Sequence, residues 1–359
     1  MKIYILSIFI LGVYGFLMWR FRNGIHGLTL KQKNPDLPII SVIIALKNEE
    51  SNVHALMQSL DQLDYPKELF EIILVDDHSS DCTAEILSQY KNEDIRVYLN
   101  TQRGKKSAIL TGISYAKGDW VAVTDADCIV PKSWLQALAV SRMNHTKMVL
   151  GPVFILDRNR DFLESFQQME FLGLQGATAG AAGVQKPISA NGANMLFHKN
   201  TFNEIKPFED NIHLNTGDDQ FLMMKMALEM GPESITYCWD EYAVVRTQAV
   251  QNWRDYFKQR IRWASKGKSY KDLIIVSIGI VVVLSSLLVG FSIIFSLVSS
   301  NYVYGLSVLS AKLLLDLSII LPAMRLAQNK FHFFDYVISG VIYPFVVMIT
   351  VISGLFRKT

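Results

Sequence analysis

The chain has few charged residues for its length. Asp, Glu, Lys and Arg together make up 19% of its 359 residues, below the roughly 25% typical of soluble domains. Hydrophobic residues make up 50%, which excludes a disordered chain and argues against an ordinary cytosolic enzyme. The net charge is only +2, from 35 basic and 33 acidic residues. Because nucleic-acid-binding domains are usually strongly basic, we expect no nucleic-acid partner.

Cysteine patterns and glycine-rich phosphate loops are also missing. The three cysteines, Cys82, Cys128 and Cys238, are widely spaced, so they indicate neither a disulfide framework nor a zinc site and favour a reducing compartment. No G-x-G-x-x-G motif follows the first predicted strand. Residues 104–107 resemble part of a Walker loop, but Leu99 stands where its first glycine is required. A nucleotide held by carboxylates and a metal ion fits this sequence better than one held by a glycine-rich loop.

Long apolar runs lie at both ends of the chain. Residues 3–19 form an uncharged run at the short limit for crossing a bilayer, and basic residues follow it without a cleavage site. We therefore predict an uncleaved membrane anchor over residues 1–22. Residues 273–298, 302–324 and 334–356 are further candidate spans, which predicts a C-terminal membrane region of two to three spans over residues 272–359. The last run either spans, re-enters or lies flat on the bilayer.

Basic residues flank the middle of the chain on both sides. Four follow the first apolar run and six precede the second: Arg20, Arg22, Lys31, Lys33, Lys258, Arg260, Arg262, Lys266, Lys268 and Lys271. The positive-inside rule then predicts a multi-pass protein of the cell membrane with a cytoplasmic domain over residues 38–271. Within the run 302–324, Lys312 and Asp316 lie four residues apart and share a helix face. We expect them to pair with each other or to face a polar path, because isolated charges are costly in a bilayer.

The middle segment predicts alternating strands and helices. Short runs rich in Val and Ile suit strands that are buried on both faces. We predict strands over residues 41–46, 71–75, 96–99, 120–124 and 148–153, and helices over residues 49–63, 82–90, 105–116 and 131–143. This order predicts an α/β fold with a doubly wound, mostly parallel sheet, whose ligand site lies beyond the carboxyl ends of the strands.

Two features of residues 160–183 have open interpretations. Phe162, Phe166, Met169 and Gly173 recur at helical spacing, which is typical either of a helix lying on the membrane or of a core helix. Residues 173–183 are rich in Gly and Ala, and we expect them to be mobile.

Acidic residues recur where the predicted strands end. Asp76 and Asp77 directly follow one strand, and Asp125 and Asp127 follow another. Because the carboxyl ends of parallel strands meet at one edge of a sheet, these carboxylates should converge. Clustered carboxylates repel one another, and a divalent cation bridging them to phosphate oxygens relieves that repulsion. For Asp81, a role in a turn or as a helix cap explains the residue as well as membership of this acidic cluster does.

Six ordered motifs together resemble those of the family 2 glycosyltransferases. They are the strand and turn at 41–50, the Asp motif at 74–81, the Gly-Lys-x-x-Ala type of helix start at 104–108, the D-x-D at 124–127, the Asp pair at 216–219 and the Q-x-x-R-W at 259–263. The resemblance implies a GT-A fold and is strongest to the membrane-embedded branch that includes cellulose, chitin and hyaluronan synthases. Three positions depart from the family pattern, with Ala45 in place of Pro, His78 in place of Gly and Asp218 in place of Glu.

This resemblance implies a set of site residues. Asp127 with Asp125 would hold Mg²⁺ or Mn²⁺, and the donor site would comprise Glu49, Asp77, Lys105, Asp125 and Arg262. Asp219 would be the catalytic base, with its neighbour Asp218 as the other candidate of the pair. Gln259 and Trp263 would contact the acceptor. The implied reaction transfers a sugar from a nucleotide donor, with UDP as the expected nucleotide, and inverts the anomeric configuration.

Three functions are compatible with the sequence. The first is a glycosyltransferase that adds one sugar to a lipid-linked or saccharide acceptor at the membrane, and this is the function we favour. The second is a processive polysaccharide synthase that extrudes its product, although about four spans are few for a channel enclosing a polymer. The third is a catalytically inactive membrane scaffold, against which the complete set of Asp77, Asp127, Asp219 and Arg262 argues. The sugar, the acceptor and the oligomeric state are left open by the sequence.

Overall fold

The computed structural model describes residues 2–29, 36–158, 161–212, 214, 217–269, 272–330 and 332–356. The chain divides into two compact units. We call Met1–Ile25, Asp157–Gly180 and Ala249–Thr359 the helical unit, and His26–Leu156 and Ala181–Gln248 the sheet unit.

The elements follow one another along the chain in a mixed α/β order. The strands are β1 Ile40–Leu46, β2 Phe70–Asp76, β3 Ile95–Leu99, β4 Trp120–Val123, β5 Cys128–Ile129, β6 Met148–Leu150, β7 Val153–Ile155, β8 Met195–His198, β9 Ile235–Tyr237 and β10 Val245–Thr247. The helices are α1 Lys2–Thr29, α2 Val53–Asp61, α3 Thr83–Tyr90, α4 Lys105–Tyr115, α5 Trp134–Val140, α6 Phe162–Gly183, α7 Lys199–Ile205, α8 Asp218–Met230, α9 Trp253–Ser265, α10 Leu273–Ser299, α11 Tyr302–Ala327 and α12 Phe333–Phe356.

The core of the sheet unit is a seven-stranded sheet in the order β3-β2-β1-β4-β8-β6-β9. The strands β3, β2, β1 and β4 are parallel to one another, whereas β8 is antiparallel to both β4 and β6. A second, three-stranded sheet has the order β5-β10-β7. The predicted α/β fold is confirmed as a mixed sheet in which the parallel half carries the acidic strand ends.

Three predicted elements of the sheet unit differ from the structure. The helix expected over residues 49–63 is observed as Val53–Asp61. The run 148–153 forms two strands in different sheets, because it is interrupted at Gly151 and Pro152. A Cβ on Gly151 would lie 2.3 Å from Asn194, so only glycine allows this close approach. The helix expected from Pro131 begins at Trp134 instead, after a turn closed by the bond from the Trp134 backbone N–H to the Pro131 carbonyl oxygen.

The helical unit contains the apolar ends of the chain. Among the described residues, four helices are long and apolar enough to cross a membrane: Lys2–Thr29, Leu273–Ser299, Tyr302–Ala327 and Phe333–Phe356. Lys312 and Asp316 in α11 form the expected ion pair, with 2.6 Å between Nζ and Oδ2. Tyr14 of α1 also donates its hydroxyl to Asp316. These charges therefore form a polar contact between two of the candidate spans.

The expectation of a mobile Gly/Ala segment over residues 173–183 is wrong. These residues form the second half of α6, and their small side chains allow close packing. A Cβ on Gly180 would lie 2.5 Å from the Phe21 carbonyl oxygen, and one on Gly176 would lie 2.7 Å from that of Ile319. The glycines thus mark sites of backbone contact within the helical unit. Phe166 and Met169 of the same helix are buried, as in a core helix.

Candidate functional site

A cavity of about 570 Å³ lies at the carboxyl ends of β1, β2 and β4. The predicted donor residues of the sheet unit all line it. The lining comprises Ala45, Leu46, Lys47, Glu49, Asp77, Arg103, Gly104, Lys105, Asp125, Ala126 and Asp127. The structure thus brings residues from four of the sequence motifs to one edge of the parallel sheet.

Asp77 is buried at the end of β2 and accepts several hydrogen bonds. Its Oδ1 accepts from Asn100 Nδ2 at 2.7 Å and from the backbone N–H of Gly104 at 2.8 Å. Lys47 Nζ lies 3.4 Å from the other carboxylate oxygen. Gly104 has a φ of 114°, which favours glycine, and immediately precedes α4. Asp77 therefore fixes the turn from which α4 begins, at the wall of the cavity.

Glu49, Asp125 and Asp127 form an acidic group in the same cavity. Burial raises the pKa of Asp125, and the charge of Asp127 raises it further, whereas Lys105 opposes both effects. Burial also raises the pKa of Glu49, with additional contributions from Asp127 and Asp125. The carboxylates thus lie close enough to repel one another, as expected of a site that receives a cation.

Lys105 connects this acidic group to the second pair of aspartates. Its Nζ lies 2.5 Å from Asp125 Oδ1 and 3.5 Å from Asp218 Oδ2. Although burial lowers the pKa of Lys105, the charges of Asp125 and Asp218 raise it well above the usual value. Lys105 therefore places a positive charge between the D-x-D motif and the Asp218–Asp219 pair.

Asp218 and Asp219 begin α8, where Gly217 adopts a φ of 91°. Asp219 Oδ2 accepts from the backbone N–H of Gly192 at 3.3 Å. A Cβ on Gly192 would lie 3.4 Å from both Asp218 Oδ2 and Lys105 Nζ, so this glycine keeps the space beside them open. Thr216 of the same motif lies outside the described residues.

The carboxylates present fit a magnesium-type ion. Within the described part of the chain, no group of three or more His, Cys, Asp or Glu side chains could hold a metal ion alone. Mg²⁺ usually takes only one or two protein carboxylates and completes its shell with water and substrate phosphates. Asp127 accepts a hydrogen bond from Cys128 Sγ at 3.5 Å and one from Thr247 Oγ1 at 3.3 Å. Asp125 and Asp127 can therefore supply hard oxygen ligands at the cavity wall.

The remaining predicted residues, Gln259, Arg262 and Trp263, lie on α9 in the helical unit. Their neighbour Arg260 is buried, and its guanidinium lies 4.2 Å from the centre of the Trp263 ring. Arg260 also donates to Gln259 Oε1 and to Glu170 of α6. One face of Trp263 and the amide oxygen of Gln259 are thus engaged within the helical unit itself.

Sequence reasoning missed three residues that shape these sites. Asn100 follows β3 directly, so the rule that found the acidic strand ends could have found it as well. Lys106, which follows Lys105 in α4, is buried, and Glu170, whose side chain is 6% exposed, is the ion-pair partner of Arg260. Lys106 and Glu170 each contact a residue that lies 90 or more positions away in the sequence. No local sequence pattern indicates such contacts.

Comparison with known proteins identifies the class. The "Glycosyl transferase family 2" domain matches residues 41–253. A poly-beta-1,6-N-acetyl-D-glucosamine synthase of Staphylococcus epidermidis is 27% identical over 248 residues, covering 67% of this chain and 57% of the relative. A beta-monoglucosyldiacylglycerol synthase of Trichormus variabilis (strain ATCC 29413 / PCC 7937) is 33% identical over 143 residues, covering 36% of this chain and 29% of the relative.

A solved structure has a similar fold. The mannosyltransferase PcManGT from Pyrobaculum calidifontis, in complex with GDP-Man and Mn²⁺, superposes with a TM-score of 0.62 over 99% of this chain and 100% of that one, at 17% identity. This chain belongs to glycosyl transferase family 2 and has the GT-A fold. It spans less than two thirds of the length of the synthases with which it aligns.

Proposed function

We propose that this protein is an inverting glycosyltransferase that moves a sugar from a UDP-type nucleotide donor to a lipid-linked or saccharide acceptor at the membrane. The position of Lys105 carries the proposal, since its Nζ lies within 3.5 Å of both the D-x-D motif and the Asp218–Asp219 pair. A donor diphosphate and an acceptor hydroxyl brought to these two groups would meet at a single point.

The donor would occupy the cavity at the carboxyl ends of the strands. Asp77 would accept a hydrogen bond from the nucleotide base, with Glu49 and Asp125 completing the pocket. Mg²⁺ or Mn²⁺ held by Asp127 and Asp125 would neutralise charge on the diphosphate as a Lewis acid. Lys105, with Arg262 as the second cationic candidate, would contact the phosphate oxygens. The Mn²⁺ in the Pyrobaculum structure supports this assignment of the metal.

The chemistry would need one proton acceptor and no proton donor. As the acceptor oxygen attacks the anomeric carbon, the bond from that carbon to the diphosphate oxygen breaks, and the proton of the hydroxyl passes to Asp219. A diphosphate leaves without protonation when its charge is neutralised, unlike the leaving groups of glycosidases. A single displacement of this kind inverts the configuration. Gln259 and Trp263 are proposed to contact the acceptor.

The domain limits and topology are part of the same proposal. Residues 1–22 would form an anchor, 38–271 the cytoplasmic catalytic domain and 272–359 the C-terminal membrane region. The four apolar helices support membrane association. The relatives favour two acceptor classes, since one is a polysaccharide synthase and the other a glycolipid synthase. A processive synthase is therefore the second candidate.

The test is an incubation of membranes containing the full chain with labelled UDP-sugars and Mn²⁺, followed by separation of lipid from polymer products. We expect a labelled lipid or short saccharide product. An extended polymer would favour the processive alternative, and labelling from GDP-sugars alone would overturn the UDP assignment. The Asp127→Asn variant is the control, because its membranes keep every endogenous activity but lack the proposed metal ligand.

A further inference from the structure

Lys106 is a buried cation next to Lys105, the half-buried cation of the donor site. It is 4% exposed, whereas 38% of the Lys105 side chain is exposed. Consecutive helix residues point about 100° apart, so the two lysines leave α4 in different directions. Lys106 Nζ donates to the Asn211 carbonyl oxygen and lies 2.6 Å from Asn211 Oδ1. It also lies 4.9 Å from the centre of the Phe221 ring and 5.9 Å from that of Phe208.

These partners lie on both sides of the proposed catalytic base in the sequence. Asn211 precedes Asp218 by seven residues, and Phe221 follows it by three, within the first turns of α8. The Asn211 side chain is itself held in place, because its Nδ2 donates to the Pro207 carbonyl oxygen at 2.8 Å. Lys106 thus contacts the chain at Asn211, before the two aspartates, and at Phe221 in α8, just after them.

Burying an ammonium group is costly unless its hydrogen bonds are satisfied and its charge is stabilised. Two oxygens of Asn211 and the faces of two aromatic rings provide that stabilisation here. A methionine would fill the same space as the lysine stem but would leave the two oxygens without this donor. The ammonium group of Lys106 therefore gives Asn211 hydrogen bonds that an apolar side chain of the same size could not make.

We propose that Lys106 is a positioning residue that holds Asp219 in place while the donor is bound. This inference rests on the proposed function. Lys105 also contacts Asp218, but its charge is shared with Asp125 and would be shared with the donor phosphates. Lys106 does not line the cavity. Its contacts with Asn211 and Phe221 therefore persist when Lys105 engages the donor.

The test compares Lys106→Met with a matched control, Lys199→Met, in the full chain. Lys199 also donates to a backbone oxygen, that of Ala116, at 3.0 Å, but lies away from the cavity lining. We expect kcat for transfer to fall at least about tenfold in Lys106→Met, because small misplacements of a reacting group are costly. The affinity for UDP with Mn²⁺ should stay within about twofold. Both quantities should stay within about twofold in Lys199→Met.

A double-mutant cycle with Asn211→Ala tests the specific contact. If Lys106 acts through Asn211, the double variant should lose no more activity than Lys106→Met alone. Additive losses would overturn the proposal, as would an equal loss of UDP affinity and kcat in Lys106→Met. Near wild-type kcat in Lys106→Met would also overturn it. Lys106→Arg, which keeps the charge and donors, should recover part of the lost kcat.

Amide hydrogen exchange separates this inference from the proposed function. In Lys106→Met, amides of residues 208–221 should exchange at least about tenfold faster, while those of β1 and β2 should be unchanged. Exchange in Lys199→Met should match the wild type in both regions. If the wild-type chain transfers no sugar but the exchange result holds, the proposed function has failed and the positioning role remains. Unchanged exchange over residues 208–221 in Lys106→Met would overturn the positioning role itself.

Discussion

Glu170 of α6 and Arg260 of α9 form a buried ion pair, with 2.5 Å between the Arg260 Nη2 and Glu170 Oε2 atoms. The Glu170 side chain is 6% exposed and the Arg260 side chain is 5% exposed. Tyr256 donates its hydroxyl to the same carboxylate at 3.1 Å. Although burial lowers the pKa of Arg260, the charge of Glu170 and its hydrogen bond raise it above its usual value. The pair fixes the register between α6 and the helix that carries Gln259, Arg262 and Trp263.

We expect Glu170→Ala to destabilise the helical unit by about 3–5 kcal/mol, because it leaves Arg260 buried without its counter-charge. Replacing both residues, in Glu170→Met with Arg260→Met, should cost clearly less, since no unpaired charge remains. Unfolding of the full chain in detergent, followed by tryptophan fluorescence, measures both losses. Equal destabilisation by Glu170→Ala and by the double variant would contradict the role of the charge.

The contact between α1 and α6 gives a second stability prediction. A Cβ on Gly24 would lie 2.0 Å from the Gly180 carbonyl oxygen, so Gly24→Ala requires the two helices to separate. Gly12 lies on the same helix, and a Cβ there would meet nothing within 4 Å. We expect Gly24→Ala to lower the thermal unfolding temperature in detergent. Gly12→Ala should raise or preserve it, because alanine favours helix by about 1 kcal/mol. The same effect from both substitutions would show that the close approach is unimportant.

Much of the parallel half of the sheet could be predicted, because continuous Val and Ile runs identify strands buried on both faces. The run 41–46 is observed as Ile40–Leu46, and Asp77, Asp125 and Asp127 line one cavity as expected. Asp76 is not part of that lining and instead accepts from the backbone N–H of Ser79. The strands β5, β7 and β10 could not be predicted in this way. They have two or three residues each and depend on pairing partners far away in sequence.

The site was predictable only where a local pattern accompanied it. Strand ends and motif spacing point to Asp77, Asp125, Asp127 and Lys105. The contacts of Lys106 with Asn211 join residues 105 positions apart, and those of Arg260 with Glu170 join residues 90 positions apart. Nothing in the local sequence distinguishes Lys106 from a solvated lysine. Dependence on distant partners also explains why residues 173–183 were wrongly expected to be mobile. Their small side chains allow close helix packing against residues far away in sequence, which the local composition does not reveal.

The pair of Lys312 and Asp316 gives a prediction about the membrane helices. The two groups pair with each other, and Lys312 Nζ lies 4.4 Å from the centre of the Tyr14 ring on α1. If the pair only stabilises the contact between α1 and α11, replacing both residues with Leu should leave transfer activity within about twofold at equal expression. Asp316→Leu alone should reduce expression or stability, because an unpaired charge costs about 2.5–3.5 kcal/mol in a span. Loss of activity in the well-expressed double variant would indicate a role in the reaction.

Topology is tested with reporters fused at two positions. The basic residues before α10 predict that the segment preceding it is cytoplasmic, and the uncharged turn between α10 and α11 should lie outside. A fusion after Lys271 should be active only as a cytoplasmic reporter, whereas a fusion at Asn301 should be active only outside. An external signal from the Lys271 fusion would contradict both the orientation and a cytoplasmic nucleotide-sugar donor.

Two conservative substitutions separate binding from chemistry. Asp127→Asn removes a charge that would meet the metal and the diphosphate in both ground and transition states, so donor affinity and kcat should both fall. Asp219→Asn leaves the cavity lining intact, because Asp219 lies outside it. UDP affinity should therefore persist, whereas transfer should fall by at least about 10²-fold through loss of the proton acceptor. Hydrolysis of the donor by water should fall in parallel, since water needs the same base. Calorimetry with UDP and Mn²⁺, together with transfer and hydrolysis rates, measures all of these effects. Near wild-type transfer by Asp219→Asn would reject it as the base and make Asp218, which lies 3.5 Å from Lys105 Nζ, the next candidate.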